Sequence, residues 1–375
     1  MRGRMLVVDH ATPTPDQDSG SASVFAYLRI LTSAGFKVTF VPADLADAGR
    51  YAGALSDLGI ATPTAPEWSS LEAAVEALAA ASDILLLYRG PVATRIFDLA
   101  RRVAPAARIV FHPVDLHFLR MEREAALIGG RTEAEAAGAM RAVELDLIRR
   151  TDATIVVSTY EAGLLAKLAP QAIVHQIPIM RETPRRATSL PGPAMRKDFL
   201  FIGGYRHRPN VDALLWFVSK VWPRVQAKGF QDRFLIVGSH VPDEIAALVS
   251  DKIEVRGHVA DLASLFDACR LSIAPLRYGG GIKGKIVTSL SHGVPVVGTS
   301  IAAEGMGLRH KENILVADKP RAKANDIVRL YGDADLWQRL SSNGYTAFLD
   351  KFSEASGGPR LLAVFDGLMT GSSNH

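Results

Sequence analysis

Arg270–Thr299 reads RLSIAPLRYGGGIKGKIVTSLSHGVPVVGT. RLSIAP and PVVGT are short unbroken apolar runs, the pattern of strands buried on both faces of a sheet. Between them, KGKIVTSLSHG has a helical pattern that stops at Gly293. Strand, helix and strand in this order indicate a parallel sheet covered by helices. From Gly279 the intervening loop also fits G-x-x-x-x-G-K, the opening of a phosphate-cradling P-loop. Ile286 then stands where a P-loop needs Ser or Thr for magnesium, and the loop follows a late strand with no Walker context. A different phosphate site fits better. Gly279, Gly280 and Gly281 let a ligand approach the backbone closely, the next helix points its first amides at an anion, and Lys283 and Lys285 add charge. A solvated surface turn is the alternative.

The same alternation runs outward through nearly the whole chain. MLVVD, KVTFV, DILLLY, RIVF and ATIVVS are strand candidates in the first half, separated by helical stretches such as SASVFAYLRILTSAG, closed by Gly35, and LEAAVEALAAA. Residues 180–198, MRETPRRATSLPGPAMRKD, break the pattern with Pro, Arg and small polar residues and read as a linker. Beyond it come FLFIGG, RFLIVGS, KIEVRG, RLSIAP, PVVGT and NILVA. A helix begins near Pro209, with Val211, Leu214, Leu215, Val218 and Trp222 on one face. The expectation is two doubly wound, Rossmann-like α/β domains, at 1–185 and 198–350, with 351–375 as a C-terminal helix. Ligands in such sheets bind beyond the carboxyl ends of the strands.

With 375 residues, 48% hydrophobic and 22% charged, the chain is ordinary globular protein. A net charge of +4 is too small to indicate nucleic acid, though it suits anionic substrates or a membrane surface. Cys269 is the single cysteine, so no internal disulfide can form, and it reads as a buried small hydrophobe. MRGRMLVVDH has no signal-peptide pattern and no run reaches the length of a membrane span. A cytoplasmic protein is expected, with peripheral contact at the inner face of a membrane left open.

FIGGYRHRPNVDALLWF, the 274–300 segment and NILVAD together resemble retaining glycosyltransferases of the GT-B type, specifically family 4. VVDHATPTPDQDSGSAS, HPVDLHFLR and ATIVVSTYE extend the resemblance over the first half. It implies two Rossmann-like domains facing a central cleft, a donor nucleotide sugar held mainly by the second, an acceptor by the first, and a last helix, SGGPRLLAVFDGLM, crossing back to the first. Placed by the family pattern, Tyr278, Gly279, Gly280, Gly281, Ile282, Lys283 and Lys285 would meet the donor sugar and diphosphate. Gly204, Arg206 and Arg208 would add phosphate contacts, and Gly257, His258 and Val259 would lie at the base. Many members carry Glu at two positions that are Gly280 and Thr288 here. Thr288 keeps one hydrogen-bonding group for the ribose, and Glu304 is a second candidate partner.

Asp115 and His117 follow the RIVF strand, where an α/β site is expected. By resemblance His117 faces the donor sugar, with a role in positioning and charge stabilisation; capping of local backbone is the alternative. His112, directly before Pro113, reads as structural. TPTPDQDSGS ends at a helix start, so the amides of Gly20 and Ser21 can meet an anion, unless the segment is an ordinary capped loop. Asp16/Asp18 and Asp333/Asp335 each form D-x-D, a pattern that can hold a divalent ion; the second pair reads as a helix start, and no metal or other cofactor is expected.

The resulting expectation is a retaining, metal-independent glycosyltransferase acting on a nucleotide-diphosphate sugar, with a glycan, lipid-linked or other acceptor. Bacterial polysaccharide or envelope biosynthesis is implied by the resemblance alone. The rivals are a glycosyltransferase-like protein that binds nucleotide sugar or glycan without turnover, and a sugar-nucleotide epimerase of the same architecture.

Overall fold

A computed structural model describes residues 2–184 and 190–371. The chain forms two compact units. One comprises residues 1–15, 20–180 and 357–375; the other comprises Asp16–Ser19 and Arg181–Ser356. Residues 185–189 of the expected linker lie outside the described residues. At its far end the linker is shorter than expected, because Lys197 and Asp198 already pair in a strand.

The first unit holds six parallel strands: β1 (Gly3–Asp9), β2 (Phe36–Pro42), β3 (Ile84–Tyr88), β4 (Arg108–His112), β5 (Ala153–Val156) and β6 (Val174–Gln176), in the order β2-β1-β3-β4-β5-β6. β1, β3 and β5 are buried at every position or nearly so, which is why they read as unbroken apolar runs. β6 escaped the sequence reading. It is three half-buried residues, Val-His-Gln, at the sheet edge. One core layer is completed by Leu361, Val364, Phe365 and Leu368 of the helix Glu354–Thr370, packed with Met5, Val7, Phe36 and Val38.

The second unit has β7 (Lys197–Ile202), β8 (Phe234–Val237), β9 (Ile253–Gly257), β10 (Cys269–Ala274), β11 (Val296–Gly298) and β12 (Leu315–Val316), in the order β12-β11-β10-β7-β8-β9. Counted from β7, this is the 3-2-1-4-5-6 order of a dinucleotide-binding sheet. The helix Arg208–Trp216 buries Val211 and Leu214 and runs into a π-helical stretch, Phe217–Val221. Pro223 follows and supplies no N–H to the preceding turn, a recognised cause of such a bulge. Cys269 is buried, and burial pushes its thiol up to about 12.

Candidate functional site

In the second sheet β7 and β10 are neighbours whose connections leave in opposite directions, making them the topological switch point. The loops beyond their carboxyl ends therefore flank the crevice where such sheets take ligand. After β7 come Gly203 and Gly204. A Cβ on Gly203 would lie 2.6 Å from the Asn210 amide nitrogen, so the backbone can pass only without one. That amide donates to the Gly204 carbonyl at 2.8 Å, tying the loop to the helix behind it.

After β10 the glycine loop takes backbone shapes that favour glycine, with φ of +148° at Gly279 and +59° at Gly281. The Lys283 ammonium donates back to the carbonyls of Gly280 and Gly281, at 3.0 and 2.7 Å. Lys285, one residue into the helix Gly284–Ser291, donates to Asn210 Oδ1 at 2.6 Å and lies 4.0 Å from the centre of the Phe201 ring. Burial, with a smaller contribution from the Lys283 charge, brings Lys285 down to about 7. The two lysines thus differ: Lys283 fixes the loop, whereas Lys285 joins the loops after β7 and β10. Gly284 is equally constrained, since a Cβ there would lie 1.8 Å from Ser19 Oγ.

Tyr278 is buried, while Ile282, Thr288 and Glu304 are half-buried. Thr288 sits mid-helix, and its carbonyl accepts from Ser291. Glu304 closes the short helix Ser300–Ala303 that follows β11. Arg206 and Arg208 are exposed. Gly257 ends β9, the far edge strand, and Val259 packs against the Leu200 and Phe266 cluster. His258 Nδ1 lies 3.3 Å from Ser239 Oγ, and its Nε2 lies 3.7 Å from Asp16 Oδ2. Asp333 caps the helix Ala334–Lys351 by accepting from Leu336 N–H, the helix-start role expected of that D-x-D pair. Among the described residues no group of three or more His, Cys, Asp or Glu could hold a metal ion.

In the first unit Gly20 and Ser21 stand in the first turn of the helix Ser19–Ser33. Asp115 and His117 sit just beyond β4, with His117 opening the helix His117–Ile128. Asp115 Oδ1 is 3.6 Å from His117 Nε2, while its other oxygen accepts from Arg120 Nε at 2.9 Å. Burial lowers the His117 pKa; Asp115 opposes this, and Arg120 and Arg89 reinforce it. His112 is stacked on Tyr88, accepts from Val114 N–H, and is held by burial down to about 3. It is a neutral structural imidazole.

The sequence reading missed four residues around this corner. Glu161 accepts from Leu116 N–H, and Glu144 accepts from His117 and Phe118 N–H. Asp9 at the end of β1 pairs with Arg89 at 2.8 Å. Burial raises the Asp9 pKa, but Arg89 and His10 outweigh it, and the net shift is downward. Glu161 was legible: Ser158-Thr-Tyr-Glu161 directly after a strand is a capping box, and both of its bonds form. Glu144 had a fainter signal, falling four residues after Met140 and four before Ile148 on the apolar stripe of its helix. A cavity of about 280 Å³ lies at the opposite end of this sheet, among Arg108, Arg149, Asp152 and Leu368 near the amino ends of β4–β6. That is the wrong end for a site of this fold.

Residues 196–333 match the family model described as Glycosyl transferases group 1, and the match runs from β7 across the glycine loop to the Ala334 helix. Over this segment, rather more than a third of the chain, the protein is similar to the glycosyl transferases group 1 family. The matched domain is accompanied by a second Rossmann-like domain, and the chain as a whole has the GT-B fold. Sucrose-phosphate synthase from Thermosynechococcus elongatus superposes with a TM-score of 0.74 at 15% identity, over 98% of this chain and all of that one. HepE of Anabaena, solved with UDP-glucose, gives 0.72 at 15% identity over 97% and 100%. TarM, from S. aureus, gives 0.76 at 10% identity over 98% and 99%. At these identities the likeness is one of fold. In sequence, an uncharacterized 44.6 kDa protein in the cps region of Klebsiella pneumoniae is 24% identical over 162 residues, which span 41% of this chain and 42% of that protein.

Proposed function

We propose that this glycosyltransferase moves a sugar, with retention and without a metal ion, from a nucleotide-diphosphate donor to a glycan or lipid-linked acceptor. The observation that carries the proposal is the coincidence of the family match with the β7/β10 switch point, where the glycine loop and Lys285 converge. In this reading the amides at the start of the Gly284–Ser291 helix meet the diphosphate, and Lys285 takes up the charge that develops as the glycosidic bond breaks. Arg206 and Arg208, exposed beyond β7, add phosphate contacts. His117, just beyond β4, is read as the residue that steadies the donor sugar. HepE was solved with UDP-glucose, which makes a uridine donor the first to try. The place of the Klebsiella relative in a cps region supports polysaccharide assembly as the setting. No described helix is long and apolar enough to cross a membrane.

Thr288, standing where related sequences carry Glu, favours a second reading, in which nucleotide sugar is bound but not turned over. A thermal-shift screen of nucleotide sugars, followed by product analysis with the stabilising donor, separates the two. A ligand that binds only the native state raises the melting temperature by mass action. Stabilisation with a glycosylated product supports transfer; stabilisation without product favours binding alone. No stabilisation by any nucleotide sugar would overturn both.

A further inference from the structure

Three successive main-chain amides, those of Leu116, His117 and Phe118, donate to the buried carboxyl groups of two glutamates. Glu161 Oε1 takes the first at 2.9 Å, Glu144 Oε1 the second at 3.1 Å and Glu144 Oε2 the third at 3.0 Å. The first amides of a helix have no partner within it. A Ser, Thr, Asp or Asn at the N-cap ordinarily supplies one, but here the N-cap is Leu116, which makes no side-chain cap bond. Glu144 takes over that work from a separate helix, Arg131–Arg150, with its side chain wholly removed from water.

Burying a carboxylate is an expensive way to cap a helix, and its surroundings are shaped to admit it. A Cβ on Gly90, just beyond β3, would stand 3.1 Å from Glu144 Cγ. Glu144 Oε1 also lies 3.9 Å from His117 Nδ1, while Asp115 Oδ1 lies 3.6 Å from Nε2, so each ring nitrogen has a carboxyl group beside it. We propose that Glu144 is a positioning residue for His117, holding the main chain and ring of that histidine at the height and rotation the transferred sugar requires. This rests on the reading of His117 as a group facing the donor.

The test is Glu144→Gln, alone and combined with His117→Ala. The carboxamide keeps the size but presents an NH₂ group toward one of the two amides, so only one capping bond survives. In ¹H–¹³C spectra of the unliganded protein, the His117 ring signals of Glu144→Gln should move or broaden while those of the other histidines stay. With UDP-glucose, or whichever nucleotide sugar stabilises the wild type, kcat should fall by up to about a hundredfold with donor KM little changed. Added to His117→Ala, the substitution should cost nothing further in kcat. Should Glu144→Gln not fold, Glu144→Asp, which withdraws the carboxylate by one methylene, carries the same test. His117 ring signals identical to wild type, or losses that multiply in the double variant, would overturn the proposal. If His117→Ala itself retains full turnover, the reading of His117 fails instead, and the spectra still decide whether Glu144 sets its position.

Discussion

The ammonium of Lys285 donates to the side-chain oxygen of Asn210 at 2.6 Å, and the amide of Asn210 donates in turn to the carbonyl of Gly204. One short chain of hydrogen bonds therefore spans the loops after β10 and β7, on either side of the switch point. With its pKa near 7, Lys285 is largely neutral at pH 8. A bound diphosphate would favour its charged form. Binding of a nucleoside diphosphate at pH 8 should then take up a fraction of a proton, read by calorimetry in buffers of different ionisation enthalpy. Lys285→Met should abolish that uptake and weaken binding by about 1–3 kcal/mol, the range for a charged hydrogen bond. Equal heats in all buffers would remove Lys285 from the phosphate site. EDTA in the cell should leave binding unchanged.

Gly281→Val asks whether the loop acts through its shape. A β-branched residue at a φ of +59° is strained, and the substituted loop should lose the carbonyl geometry that Lys283 caps. Nucleoside diphosphate binding should fall below detection in the same calorimeter while the melting temperature drops by only a few degrees. Unchanged affinity would make the loop a turn and nothing more.

His117→Ala should lower kcat with donor KM nearly constant, because a contact that strengthens in the transition state contributes little to ground-state binding. Steady-state kinetics with the stabilising donor gives the answer. A raised KM at constant kcat would mean that His117 binds substrate and transition state alike.

Glu144 sets a pH dependence of stability. Burial, opposed by the Phe118 and His117 amides, raises its pKa to about 8 from an ordinary value of 4.5. Between these values the folded state holds a proton that the unfolded state has released, so stability from this group is full below about 4.5 and is lost as pH rises toward 8. Glu144→Gln cannot titrate. The wild-type minus variant difference in unfolding free energy should therefore decline across that window and level off above it. A flat difference would show that the carboxylate is already ionised when folded.

The sheets were legible because parallel strands buried on both faces cannot hide: IVF, LLLY and SIA have no alternation to confuse with a surface strand. The glycine loop was legible through Gly279 and Gly281, whose backbone shapes exclude most other residues. The division of labour between Lys283 and Lys285 was not. Both read as cations beside a helix start, and only the fold shows one ammonium turned onto carbonyls and the other onto Asn210. Glu144 was hidden for the opposite reason. A charged residue in a helix reads as solvent-facing unless its spacing from Met140 and Ile148 is given more weight than its charge. Asp9 and Arg89 meet only because β1 and β3 are neighbours, a pairing that no local pattern announces.

The layer that Leu361, Val364, Phe365 and Leu368 complete in the first domain has a consequence for the order of events on the ribosome. Met5, Val7 and Phe36 are made long before the helix that packs on them, since residues Arg181–Ser356 are translated in between. At cellular elongation rates that interval is on the order of ten seconds or more. During it the nascent first sheet has only part of this face covered, by Val24, Tyr27, Leu28 and Leu31 of the helix Ser19–Ser33, while the second domain can already close its own core. Fusing Gly357–Thr370 ahead of β1 through a flexible tether would remove the wait, and such a permuted chain should depend less on chaperones during synthesis.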